Sequence, residues 1–146
     1  PAYEQRWVDA DLSAGECRAD IRALPFRSRS FDVVRATEMF YYLPPGQIDL
    51  AISECRRVLR VSGRLVITAP LLVPPIVAGD CTRLTAMGWR TALEPYFRRV
   101  TILPLVGVWT HLVTTLEYLS RAFAVLRPLA RLDDRRYPHA YGIVAV

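Results

Sequence analysis

The apolar and polar positions divide this chain into short apolar runs and one clear amphipathic segment. Phe31 to Ala36 (FDVVRA) is apolar and β-branched, follows the polar loop RSRS, and predicts a buried strand. Pro44 and Pro45 then interrupt the pattern. Beyond them Ile48, Ala51, Ile52, Cys55, Val58 and Leu59 recur at helical spacing, with Glu54, Arg56 and Arg57 on the other face. That spacing predicts a helix stopping at Ser62 and Gly63, the glycine serving as a left-handed cap. Arg64 to Ala69 reads as a strand covered on both faces. Upstream, Arg6 to Leu12 and Glu16 to Asp20 read as two short strands. Downstream, a proline-rich loop over Pro70 to Ala78 leads to a helix that Thr85 caps and that runs to about Phe97. Arg98 to Leu105 and Tyr141 to Val146 read as strands. Between them Val106, Trp109, Leu112, Leu116, Leu119, Phe123 and Leu126 form an apolar stripe at three-to-four spacing, a helical insertion over about 106–130.

Strand, loop, strand, helix, strand is the order of an open α/β sheet, whose ligands bind at the carboxyl ends of its strands. The chain has 146 residues, of which 52% are hydrophobic and 23% charged, enough for one compact domain with a real core. Its net charge of +5 comes from arginine alone, since the sequence contains no lysine. No basic run is interleaved with aromatic residues, so the excess reads as a solvated surface and nucleic acid is not an expected partner. Cys17, Cys55 and Cys81 are odd in number and far apart, which argues against a disulfide framework and a zinc site. They read as buried small apolar residues in a reducing, cytoplasmic setting. The polar start PAYEQRW carries no signal-peptide core, and the stripe after Val106 is not a continuous apolar run long enough for a membrane span.

Two strings carry the chemistry. The first is AD-I-x-x-LPF-x-x-x-x-FDVV from Ala19 to Val34, and the second is E-x-x-RVLR-x-x-GRLVI-x-x-P from Glu54 to Pro70. In this order they resemble the central part of the class I S-adenosylmethionine-dependent methyltransferases, in the small-molecule type 11 group. The likeness covers roughly Trp7 to Phe97. Further on, DCTRLTAMGW resembles a D-x-x-R-x-T-x-x-G-[LW] segment found in one branch of these proteins. The resemblance implies a Rossmann-like α/β fold with a mostly parallel sheet and a C-terminal antiparallel strand pair. It also implies S-adenosylmethionine as cofactor and methyl transfer to a small-molecule substrate.

Carried over position by position, the resemblance makes Asp11 the acceptor for the ribose hydroxyls. A carboxylate suits that task because it offers several acceptor sites and no competing donor. Asp20 and Ile21 take the adenine position, and Leu24, Pro25 and Phe26 shape its turn. Arg35, Ala36 and Thr37 lie beside the methionine half, and Glu38 to Leu43 face the substrate. Tyr41 and Tyr42 stand where many relatives have an acidic residue and a histidine, which leaves Tyr42 as the candidate base. Asp32 is expected to fix the loop before its strand. Arg83 and Thr85 are expected to anchor the helix entry, and His111 and His139 to lie at the surface or in packing.

One departure is larger. The family's first strand and its G-x-G-x-G loop have no counterpart here, where VDADLSAGEC offers only Gly15. Three readings follow: a single domain over 1–146 whose N-terminal part lies outside these residues, a second chain that supplies it, or a shortened protein with altered pairing. The first is preferred. The rival in function is a catalytically inactive methyltransferase-like binding or scaffold subunit that works with a partner chain, and a homo-oligomer is also open.

Overall fold

The computed structural model describes residues 7–13, 15–71, 79–106 and 140–146. Among these the chain forms β1 (Ala10–Asp11), β2 (Cys17–Arg18), β3 (Phe31–Thr37), α1 (Pro45–Val58), β4 (Leu59–Pro70), α2 (Ala86–Leu93), β5 (Val100–Val106) and β6 (Ala140–Ala145). The main sheet has the order β3-β4-β6-β5. β3 and β4 run parallel, while β6 is antiparallel to both β4 and β5. Three strands therefore point one way, and their carboxyl ends share one edge of the sheet. β1 and β2 form a separate two-stranded parallel ribbon. Only Ala10–Asp11 and Cys17–Arg18 of the two upstream runs pair as strand, and neither joins the main sheet among the described residues.

The core lies between the sheet and the two helices. The α1 face of Ile48, Ala51, Ile52, Cys55 and Val58 is buried, and it packs with Leu65, Ile67 and Ile143 of the sheet interior. Fully burying one such aliphatic side chain contributes about 1.5–3 kcal/mol. Phe40 and Trp89 close the cluster edge to face, their ring centroids 5.3 Å apart. Pro45 stands at the first turn of α1, where its missing N–H costs nothing. Thr85 caps α2, its hydroxyl accepting from the Gly88 amide at 3.2 Å.

The helix stop differs from the sequence expectation. α1 ends at Val58 and the chain enters β4 at once, so Ser62 and Gly63 lie inside a strand. Gly63 is not in the left-handed region. Its role is close approach: a Cβ there would meet Leu59 Cδ2 at 2.9 Å and the Arg60 carbonyl oxygen at 3.0 Å. The register explains the crowding, because Phe31 pairs with Leu59 whereas Val33 pairs with Arg64. The chain bulges between these pairs and folds back on itself at the glycine.

The cysteines also differ among themselves. Cys55 is buried, Cys17 is half-buried and Cys81 is exposed, and all three are free. Burial pushes the Cys55 thiol up to about 12, which leaves it an inert apolar group. Val106 ends β5 and does not open a helix; the rest of the predicted helical stripe, over 107–130, the loop over 72–78, and His111 and His139 lie outside the described residues.

Candidate functional site

The turn from Asp20 to Phe26 is held from below by helix α1. Glu54 Oε2 accepts the Leu24 amide at 2.8 Å, and Arg57 donates to the carbonyls of Leu24 at 2.9 Å and Phe26 at 2.8 Å. Glu54 and Arg57 also bind each other through two hydrogen bonds. The Arg57 guanidinium holds the Glu54 carboxyl below the usual carboxylate range, and the carboxylate raises Arg57 in turn. One acid and one base, a helical turn apart, thus take up the turn's free backbone groups. The hydrophobic pattern placed both residues on the helix's outer face. The signal that marks them is their place in the ECRR string, three residues apart and beneath the LPF turn.

Asp20 lies at the start of this turn. Its carboxylate accepts the Arg22 amide at 2.9 Å and the Arg22 guanidinium on both oxygens, contacts that hold its pKa below the ordinary value. Ile21 is half-buried and packs against the core cluster. Asp11 ends β1, and one of its carboxylate oxygens accepts the Ser13 amide at 2.8 Å and the Ser13 hydroxyl at 2.9 Å. The Ala19 amide donates to the Asp11 carbonyl at 2.8 Å, so the Asp20 turn follows directly on the β1–β2 ribbon. The structure therefore brings Asp11, Asp20, Ile21 and Leu24 into one consecutive unit.

On β3, Ala36 is buried, while Arg35 is exposed with its guanidinium 5.5 Å from the centre of the Trp7 ring. That stack ties the lead-in to β1 onto the sheet. Beyond Thr37 the chain turns sharply at Glu38, whose φ is 49° and whose amide donates to the Thr68 carbonyl at 3.0 Å. A short 3-10 turn over Phe40–Tyr42 follows, at the carboxyl edge of β3 and β4.

Here a second cluster forms. The Tyr41 and Tyr42 rings lie 4.3 Å apart and their hydroxyl oxygens 3.1 Å apart. Arg83 stands 5.2 Å from the Tyr41 ring centre and pairs with Asp80. The Tyr41 carbonyl accepts the Cys81 amide at 2.8 Å and the Thr82 amide at 3.1 Å, and the Thr82 hydroxyl donates to the Leu43 carbonyl at 2.6 Å. The DCTR string therefore packs on the back of the Tyr41–Leu43 turn, which the sequence alone did not place there. The Tyr42 hydrogen bond, burial and the nearby Glu38 and Asp80 carboxylates push the Tyr41 hydroxyl up to about 12. Among the described residues, Thr68 Oγ1, Arg83 Nη1 and Trp89 Nε1 are the buried side-chain polar atoms without a partner, and each belongs to a residue that touches the segment Glu38–Leu43. Among the described residues no group of three or more histidine, cysteine or acidic residues is arranged to hold a metal ion.

In an open α/β sheet, an acid-bearing turn beside one strand and a 3-10 turn at the carboxyl edge lie where nucleotide cofactors bind in such sheets. Residues 4–67 match the family model described as "Methyltransferase domain", and the fold around them is similar to that of solved methyltransferases. A chain of the complex between the Haloferax volcanii Trm112 methyltransferase activator and a methyltransferase aligns with a TM-score of 0.59 at 20% identity, over 88% of this chain and 59% of that one. The Pyrococcus horikoshii OT3 protein PH0226 aligns with a TM-score of 0.57 at 15% identity, over 87% of this chain and 56% of that one. A SAM-dependent methyltransferase from Archaeoglobus fulgidus aligns at 0.53 and 18% identity, over 81% and 60%. At these identities the likeness is one of fold, and the chain spans less than two thirds of the length of each of these proteins. A comparison with curated proteins gave no match.

Proposed function

We propose that the protein binds S-adenosylmethionine at the carboxyl edge of the sheet and transfers its methyl group to a small molecule held beside Tyr42, in the cytoplasm. The observation that carries this reading is the Asp20–Phe26 turn, clamped by Glu54 and Arg57 next to β3. The residues present fit the cofactor. Asp11 and Asp20 supply carboxylates at the two turns; each Asp20 oxygen now accepts two bonds from Arg22, so in this reading Arg22 turns aside when the adenine amine enters. Asp11 would hold the ribose hydroxyls and Asp20 the adenine amine, with Ile21 and Leu24 covering the ring and Arg35 and Ala36 beside the methionine half. When bound, the cofactor supplies an electrophilic sulfonium methyl, and alignment of the reactants contributes most of the acceleration.

The chain's own part is positioning and proton handling. Tyr42 is 45% exposed, which in this reading leaves its side chain open to both the acceptor and water. In this reading the acceptor's proton passes to Tyr42 Oη while the Tyr42 hydroxyl proton leaves to solvent. Calorimetric titration with S-adenosylhomocysteine tests the reading. Heat fitting a single micromolar site is expected, and Asp20→Ala should weaken it about tenfold, the worth of one charged hydrogen bond. Absence of heat at high micromolar protein would overturn it.

A further inference from the structure

The opposite edge of the sheet, where β3 and β4 begin and β6 ends, carries a different constellation. A cavity of about 770 Å³ opens there between Arg56, Arg64, Arg98 and Arg99, with Val61, Val144 and Val146 among its walls. A second hollow of about 380 Å³ adjoins it, shares Arg56 and Val61, and adds Arg29 and Arg57. No aspartate or glutamate side chain lines either of them.

Arg22, Arg57, Arg60, Arg83 and Arg90 each stand against an aspartate or glutamate. Among the described residues Arg64, Arg98 and Arg99 have no ion pair, and they converge with Arg56 on one cavity. Arg18, Arg27, Arg29 and Arg35 also have no ion pair among the described residues, so what sets this edge apart is convergence and not the lack of a partner. Like charges brought together repel, and the arrangement is unfavourable until an anion enters. Two of the positions are also fixed in place. Arg56 donates to the Arg60 carbonyl at 3.2 Å and lies 5.8 Å from the Phe97 ring centre. Arg99 is locked by a reciprocal backbone pair with Val146, at 3.1 and 2.9 Å. Guanidinium forks suit phosphoryl oxygens because each offers two parallel donors. The adjoining hollows make the site longer than one tetrahedral ion.

We infer that this arginine-lined cleft binds a ligand carrying several phosphoryl groups, at the edge of the sheet opposite the tyrosine pair; its smaller hollow reaches Arg57, the residue that clamps the acid-bearing turn. Val61, Val144 and Val146 beside the arginines would accommodate an apolar part of the same ligand, so a free polyphosphate and a lipid headgroup share the required chemistry.

Three probes test it by calorimetry and vesicle co-sedimentation: orthophosphate, tripolyphosphate, and phosphatidylcholine vesicles containing a tenth phosphatidylinositol phosphate. Tripolyphosphate should bind at least tenfold tighter than orthophosphate, and raising the salt should weaken it. Arg64→Gln with Arg98→Gln should cost at least another tenfold, whereas the exposed Arg27→Gln should change nothing. Val61→Asp, at an exposed position, should block the site without disturbing the fold. Co-sedimentation that the Arg64/Arg98 pair of substitutions abolishes assigns the phosphoryl groups to a lipid; tripolyphosphate binding without co-sedimentation assigns them to a soluble ligand. Failure of all three probes, or an equal loss in Arg27→Gln, overturns the inference. S-adenosylhomocysteine binding should be the same in every variant, which keeps this outcome distinct from that of the methyltransferase reading.

Discussion

The four-stranded sheet and the segment from Trp7 to Phe26 are held by different means. In the sheet Leu65, Ile67, Ile143 and Ala145 are wholly buried, and the strands zip in continuous register from Leu65–Ala145 to Pro70–Ala140. In the segment Trp7 and Leu12 remain 57% and 59% exposed, and order comes from backbone bonds, the Arg35–Trp7 stack and the Glu54–Arg57 clamp. The difference has a chemical reason. A carboxylate is costly to bury in an apolar core, so the turn that carries Asp20 is fixed by polar contacts to a neighbouring helix. The sheet provides stability, and the clamp transmits it to the turn.

The comparison breaks most completely in the core. Ile52→Ala or Trp89→Ala should cost about 2–5 kcal/mol in chemical denaturation and should loosen both regions together. Gly63→Ala comes next, at about 1–3 kcal/mol, because the new methyl would meet the Arg60 carbonyl and Leu59. An unchanged denaturation midpoint for this variant would show that the bulge relaxes freely.

Glu54→Ala should separate the two regions. We expect a global loss of about 1 kcal/mol, with amide exchange at Leu24 speeding up about tenfold and the interior of β4 unaffected. The same clamp should respond to acid. The Glu54 pKa is held below its ordinary 4.5, so its contribution is present above that value and is lost as pH falls through the lower folded value. An acid-induced rise in Leu24 exchange that persists in Glu54→Ala would assign it to another group.

At the tyrosine pair, Tyr42→Phe should bring the Tyr41 hydroxyl down from about 12 towards its ordinary 10, read by carbon NMR of labelled tyrosine. Because the folded value is the higher one, the Tyr41 contribution is full below pH 10 and disappears as pH rises through 12. The smallest effect is expected at Asp32→Asn. Its pair with Arg60 is more than half exposed on both sides, and removal should shift stability by no more than about 0.5 kcal/mol.

Much of this architecture was legible in the sequence, for reasons that differ by element. β3, β4 and α1 announce themselves because burial imposes a period on apolar residues, and Thr85 reads as a cap because its hydroxyl must face a free amide. Gly63 was misread because a left-handed cap and a close backbone approach both demand glycine, and only the register with β3 distinguishes them. Glu54 and Arg57 looked like solvated outer-face residues because periodicity records what is apolar, not what a charged side chain grips. The tyrosine cluster depends on the contact of Asp80–Arg83 with Tyr41, residues about forty apart whose meeting no local pattern encodes. The arginine cleft was hidden for the same reason, since Arg56, Arg64 and Arg98 belong to three different parts of the chain.

The place of β6 has a consequence for how the protein is made. The strand of Ala140–Ala145 lies inside the sheet, inserted between β4 and β5. As the chain leaves the ribosome, β4 therefore waits some seconds with an open edge, at roughly 5–20 residues per second, until β6 arrives. Throughout that interval Leu65 and Ile67 border an unfilled slot. Closure of the core is in this sense a late, long-range event, and the nascent chain is the state most in need of a chaperone's protection.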